Sequence, residues 1–148
     1  MSHDPRFIHL RVHTEYSLLQ GAVHAKKLPE MTAHMYMPAV AVTDTNNMFC
    51  ALEFSEGAAK AGVQPIIGCQ LDVGYTTAEA GKRREEPAAI VLLAQSEVGY
   101  MNLMKLNSCL YLQQDGQLPQ VMLEDLQTHN AGLICLSGGP DGPVGRLL

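Results

Sequence analysis

The chain has 148 residues, of which 47% are hydrophobic, and a formal net charge of −5. That length supports one compact domain with a real core, and the composition excludes a disordered tail. The acidic balance argues against a segment that grips phosphate backbones by itself, but not against membership of a larger nucleic-acid enzyme.

The first predicted element is a strand from Phe7 to Val12. Residues 9, 11 and 13 alternate along it, so His9, Arg11 and His13 share one face. Histidine is a common transition-metal ligand, whereas arginine stays protonated and cannot ligate. A helix follows over Pro29 to Met37, with Pro29 in its first turn. The second strand, Ala39 to Thr43, runs up to Asp44. A helix over Asn46 to Ala61 stops at Gly62. The third strand covers Pro65 to Val73. The loop from Gly74 to Pro87 holds Lys82-Arg83-Arg84-Glu85-Glu86, a mixed-sign patch that reads as solvated. The fourth strand is Ala88 to Ala94. The helix Ser96 to Gln113 opens on an N-cap serine and repeats apolar residues at Val98, Met101, Leu103, Met104, Leu106 and Leu110. A shorter helix spans Pro119 to Thr128, and a fifth strand Gly132 to Ser137. The Gly138-Gly139 loop reads as a tight turn into a helix.

Aromatic residues make up only 5% and Trp is absent, so aliphatic residues and methionine must fill the core. Met31, Met35, Met37, Met48, Met101 and Met104 fall at helical spacings and read as core. Cys50, Cys69, Cys109 and Cys135 form no CxxC pair and read as reduced core thiols of a cytoplasmic protein. Residues 1–6 are polar, without the apolar region of a signal peptide. No apolar run approaches the ~20 residues of a membrane helix. A cytoplasmic protein without membrane association is expected.

Alternating strands and helices point to α/β with a parallel sheet, and the continuously apolar strands to coverage on both faces. An open doubly wound sheet and part of a β/α barrel both remain possible. In either, functional groups gather beyond the C-terminal ends of the strands. His13, Asp44 and Gln70 fall near such ends and could converge. Three residues also have plainer roles: a hydrogen-bonded histidine near a strand end for His9 and His13, and an ion pair or helix N-cap for Asp44.

The stretch Arg6 to Ala22, reading RFIHLRVHTEYSLLQGA, resembles the N-terminus of bacterial DNA polymerase III alpha subunits. Met37 to Phe49, Gly62 to Gln70, Leu92 to Leu103 and Gly132 to Gly139 resemble further motifs of the same family, in the same order. The resemblance implies the polymerase and histidinol phosphatase (PHP) domain, whose fold is a distorted β/α barrel of parallel strands alternating with helices. Residues 1–148 would be the N-terminal portion of that domain. Residues 137–148 start a new element, so a fragment lacking the polymerase domains is expected.

In metal-competent members of the family the first motif reads His-x-His and the second ends Thr-Asp-His. Further ligands are an acidic residue before the Gly-Ala of motif one, an acidic residue after Gly-Cys, and a histidine opening the fourth strand. The matching positions here are Arg11, His13, Gln20, Thr45, Gln70 and Ala89, and only His13 keeps a ligand side chain. A divalent cluster needs anionic or imidazole ligands to offset dehydration of the ion. Glutamine and threonine are weak neutral donors, and Arg11 adds a positive charge. The expectation is a remnant site without metal or catalytic residue, in which the Arg11 guanidinium takes the metal position and pairs with Asp44.

The resemblance thus implies a scaffold module of a replicative DNA polymerase. Template-directed nucleotidyl transfer and its Mg²⁺ would lie in absent domains, through which the intact protein would meet DNA. The implied partners are the proofreading exonuclease subunit and other replicase subunits. The alternatives are a metal-dependent phosphoesterase or intrinsic 3′-5′ exonuclease, and an α/β domain with an ordinary ligand pocket. Among polymerases, motif one and Pro-Ile-Ile-Gly-Cys look more like the main replicative form than an error-prone paralogue.

Overall fold

The computed structural model describes residues 7–74, 87–112 and 119–148. The charged patch at residues 82–86 lies outside them. The chain divides into two compact units, Met1–Cys69 and Gln70–Leu148.

In the first unit, α1 (Leu28–His34) carries Pro29 in its first turn, where a missing N–H costs nothing. Strand β1 (Ala39–Val42) is four small or β-branched residues, all buried. It pairs in parallel with the first half of β2 (Gln64–Gly74), from Ala39 opposite Gln64 to Val42 opposite Ile67. Helix α2 (Ala51–Ala61) connects the two. It ends on Gly62 in the left-handed conformation, φ 71°, where an L side chain would be strained. Val63 N–H then closes onto Ala58 O at 2.9 Å. Helices α1 and α2 lie against each other. Their inward faces join β1 in a core of Leu28, Val40, Val42, Phe54, Ala58 and Val63, with Phe54 fully buried.

Helix α2 starts five residues later than predicted. Asn46 adopts φ 56°, and the Asn47 side chain takes the Phe49 N–H at 3.2 Å. These local bonds compete with the first helical turn. The predicted strand over 7–12 is also replaced. Residues 7–10 are exposed, yet the segment runs beside β1. Ala41 N–H donates to His9 O at 2.8 Å and Thr43 N–H to Val12 O at 2.8 Å. The next rung is made by a side chain, Val12 N–H to Thr43 Oγ1 at 3.0 Å. The ladder is therefore irregular.

In the second unit, the end of β2 pairs in parallel with β4 (Val121–Met122). Residues 121–122 thus form a strand where a helix was predicted, and α4 begins only at Leu123 (Leu123–Thr128). Strand β3 (Ala88–Ala94) is buried over its first six residues. It pairs with β5 (Leu133–Leu136) in the antiparallel sense, so the arrangement is mixed α/β and not wholly parallel. Strand β5 is partly exposed, with Ile134 and Cys135 facing solvent, contrary to coverage on both faces.

Helix α3 (Glu97–Leu112) lies on β3 and β5. Ser96 Oγ caps it by accepting the Gly99 N–H at 3.2 Å. Its first turn sits on the backbone before β5: a Cβ on Gly99 would come within 1.8 Å of Gly132 O. Asn102 Nδ2 adds a bond to Ala131 O at 2.9 Å. Leu103, Leu106 and Leu110 form its buried stripe. Met31, Met35 and Met101 are about half exposed, so they are not core residues; they sit on the outer faces of their helices.

Candidate functional site

The candidate site is built from two segments of the first unit, residues 12–21 and 43–50. The centre is Asp44, two residues past the end of β1 and only 1% exposed. A buried carboxylate is costly unless its oxygens are saturated by donors. Here Oδ1 accepts the Thr14 N–H at 2.6 Å and the Ser17 hydroxyl at 2.5 Å. Oδ2 accepts the Thr14 hydroxyl at 2.7 Å and the Cys50 thiol at 3.2 Å. These four neutral donors occupy both carboxylate oxygens, and Arg11 has interactions of its own. Nor does Asp44 cap α2, whose N-cap residue is Cys50 and makes no capping bond with its side chain.

The donors come to Asp44 because residues 14–21 form a tight, self-bonded loop. Ser17 N–H donates to Thr14 O at 2.9 Å, and Gln20 and Gly21 N–H both donate to Ser17 O, at 3.0 and 2.9 Å. Gly21 packs against the start of the loop so closely that a Cβ would lie 2.0 Å from Thr14 O. Glu15 fastens the exit: its Oε2 accepts the Ala25 N–H at 2.7 Å and its Oε1 faces His24 Nδ1 at 3.4 Å. Desolvation alone would raise the Glu15 pKa, but the backbone N–H groups and His24 outweigh it and leave the carboxyl lowered. At the loop's tip Leu18 and Leu19 are exposed, and Leu19 has φ 66°. A non-glycine residue there costs roughly 1–2 kcal/mol, which the bonds on either side hold in place.

The second segment reaches back to the first. Ser17 Oγ accepts the Thr45 N–H at 3.1 Å. Thr45 Oγ1 donates to Gln20 Oε1 at 2.7 Å. Asn47 Nδ2 donates to Tyr16 O at 3.0 Å, and the Tyr16 and Phe49 rings meet edge to face, 6.3 Å between centroids. Below, the Cys69 thiol points at Asp44 O and Asn47 O, 3.3 Å from each.

Of the residues singled out from the sequence, Gln20, Asp44 and Thr45 belong to this network. Arg11 is exposed and His13 half-buried, and each has interactions of its own. His9 is exposed, with its ring edge-on to Phe7 at 4.7 Å. Gln70 lies buried inside β2, not at the strand's end. Ala89 is buried in β3, and its carbonyl oxygen abuts Gly138. Gly138 and Gly139 both take positive φ, as the predicted tight turn requires. Thr14 and Ser17 went unnoticed in the sequence, and Cys50 was read only as a core thiol. The available signal was the pair of hydroxyl residues three apart just after the apolar run.

The donors gathered at Asp44 are an amide, two hydroxyls and a thiol. Among the described residues, no three His, Cys, Asp or Glu side chains cluster as a metal site would require. The Asp44 oxygens each hold two donors, and the Thr45 hydroxyl and the Gln20 carbonyl are turned toward each other.

The cysteines divide by environment. Cys50 and Cys69 are buried, Cys109 is half-buried and Cys135 is exposed, so the expectation of four core thiols holds for only two. Burial, with the Asp44 carboxylate beside it, pushes the Cys50 thiol far above its usual range. It therefore stays protonated and serves as a donor. Under a small thiol reagent the native chain is expected to label at Cys135 first and Cys109 more slowly. Cys50 and Cys69 should label only on unfolding; mass spectrometry of the labelled peptides checks the order.

Residues 9–148 match the family described as PHP domain. The chain belongs to the PHP domain family. Relatives of this PHP chain include the DNA polymerase III subunit alpha of Caulobacter vibrioides (strain NA1000 / CB15N), 44% identical over 143 residues, covering 95% of this chain and 12% of that protein. The subunit of the same description from Vibrio cholerae serotype O1 is 40% identical over 146 residues, covering 98% of this chain and 12% of that protein. The PHP chain thus spans about 12% of the length of these curated relatives. Among solved structures, an amidohydrolase from Chromobacterium violaceum superposes with a TM-score of 0.51 at 20% identity, over 70% of this chain and 32% of that one. At that identity the likeness concerns the fold alone, which is α/β of the PHP type. No helix among the described residues is long and apolar enough to cross a membrane.

Proposed function

We propose that this chain is the PHP module of a replicative DNA polymerase III alpha subunit and acts as a scaffold, not as a metal-dependent phosphoesterase. The observation that carries the reading is the bond from Thr45 Oγ1 to Gln20 Oε1 at 2.7 Å. Both residues stand where metal-competent members of the family would place ligands, and here their polar atoms satisfy each other. Arg11, Gln70 and Ala89, at further ligand positions, add no anionic or imidazole donor. The identity to alpha subunits over nearly the whole chain supports the polymerase context.

In the longer protein that this reading implies, nucleotidyl transfer and its Mg²⁺ belong to other domains. The PHP module docks the separate proofreading exonuclease subunit, which fits a module whose own ligand positions are lost. Titrating the chain with a cognate exonuclease subunit in a calorimeter is expected to give saturable one-to-one binding with Kd of about 1 μM or tighter. Absence of heat and of co-elution at ~100 μM would remove the docking role. In parallel, Mn²⁺ should leave hydrolysis of p-nitrophenyl phosphate at the rate without protein. Turnover abolished by His13→Ala would restore the phosphoesterase reading.

A further inference from the structure

We infer that Gln20 and Thr45 act as one unit, a metal-free clasp that replaces an ion as the cross-link holding the exposed Leu18-Leu19 turn to the end of β1. The inference rests on the metal-free reading above and says what stands in the metal's place. The turn is fixed at both ends. On one side Ser17 Oγ donates to Asp44 and accepts the Thr45 N–H. On the other, Gln20 Oε1 accepts the Thr45 hydroxyl. Residues 44–45 thus grip residue 17 and residue 20, and the two exposed leucines lie between.

An ion bridging these segments would tie the same two strips of backbone together through ligands from each. A hydroxyl and an amide carbonyl make that tie without charge and without dehydrating an ion. The two substitutions are therefore coupled. The contact is exposed, so after a change on either side water takes up the remaining polar atom and only the tie itself is lost. The Ser17 bonds run through the Thr45 backbone and survive any change of the Thr45 side chain, which isolates the Gln20 contact for testing.

The test is hydrogen exchange of the full chain, read at the Gln20 and Gly21 amides, which both bond Ser17 O. The Phe54 amide in α2, bonded to Cys50 O at 2.8 Å, serves as reference. Thr45→Val and Gln20→Leu are each expected to speed exchange at Gln20 and Gly21 by roughly 3–10-fold while leaving Phe54 unchanged. The double variant should be no faster than either single one, and Thr45→Ser, which keeps the hydroxyl, should exchange like the parent. EDTA, Zn²⁺ and Mn²⁺ should change nothing in the parent chain. Additive effects of the two substitutions, or acceleration shared equally by Phe54, would overturn the clasp. So would silent substitutions with a silent metal arm, which leave the scaffold reading standing. Slower exchange on adding Zn²⁺ or Mn²⁺, reversed by EDTA, would overturn the scaffold reading together with the clasp.

Discussion

Asp44→Ala is expected to lower the stability of the chain by about 3–5 kcal/mol, measured as a shift of the urea unfolding midpoint. The carboxylate is almost fully buried and accepts from the Thr14 N–H, two hydroxyls and a thiol. Alanine leaves all four donors in a space closed to solvent. Each such donor costs about 1–3 kcal/mol when nothing replaces its acceptor. The Thr14 and Ser17 hydroxyls can rotate toward other acceptors, which keeps the total below the simple sum. Asp44→Asn should be milder, about 1–3 kcal/mol, because its oxygen can still take the bonds at one side. A loss below about 1 kcal/mol for Asp44→Ala would mean that the loop does not depend on this carboxylate.

Gly21→Ala is expected to cost about 3 kcal/mol or more, read from the same unfolding curves. The new methyl group would lie 2.0 Å from Thr14 O, 2.6 Å from Thr14 C and 2.8 Å from His13 O. All three are backbone atoms, so no side chain can swing aside. Thr14 cannot retreat either, because its N–H and hydroxyl are both held by Asp44. Gly62→Ala is the control. Gly62 has φ 71° but nothing within 4 Å of the added carbon. It should cost only about 1 kcal/mol of backbone strain. Equal losses at the two positions would show that conformational strain, and not the close approach, governs Gly21.

The elements built on continuous apolar runs or clear caps were legible in the sequence. Strand β3, helix α3 with its Ser96 cap, and the Gly62 stop lie within two residues of where periodicity put them. What escaped was set by single polar side chains. Thr43 Oγ1 takes the place of a backbone rung and breaks the regularity of the first predicted strand. Asn47 bonds the backbone around it and delays α2. The direction of β5 was also illegible, since a four-residue apolar run reads the same in either sense. For the site, Asp44 stood out as a charge beside an apolar strand, but charge suggested a charged partner. The neutral donors Thr14, Ser17 and Cys50 gave no such cue. A hydroxyl or thiol donor becomes visible only once the loop has folded it over the carboxylate.

The character of those donors has a consequence for how the first unit responds to its medium. The four donors that close on Asp44 are neutral dipoles: an amide, two hydroxyls and a thiol. The protein acts here as a fixed solvent for one anion, oriented before the charge is felt. Mobile ions weaken attractions between exposed charges over a Debye length of about 8 Å at physiological ionic strength. They cannot compete with dipoles in direct contact with a group that water does not reach. The pair of exposed Lys26 and half-buried Glu53, 3.8 Å apart, will weaken as salt is added. The loop around Asp44 keeps its hold from dilute buffer to brine.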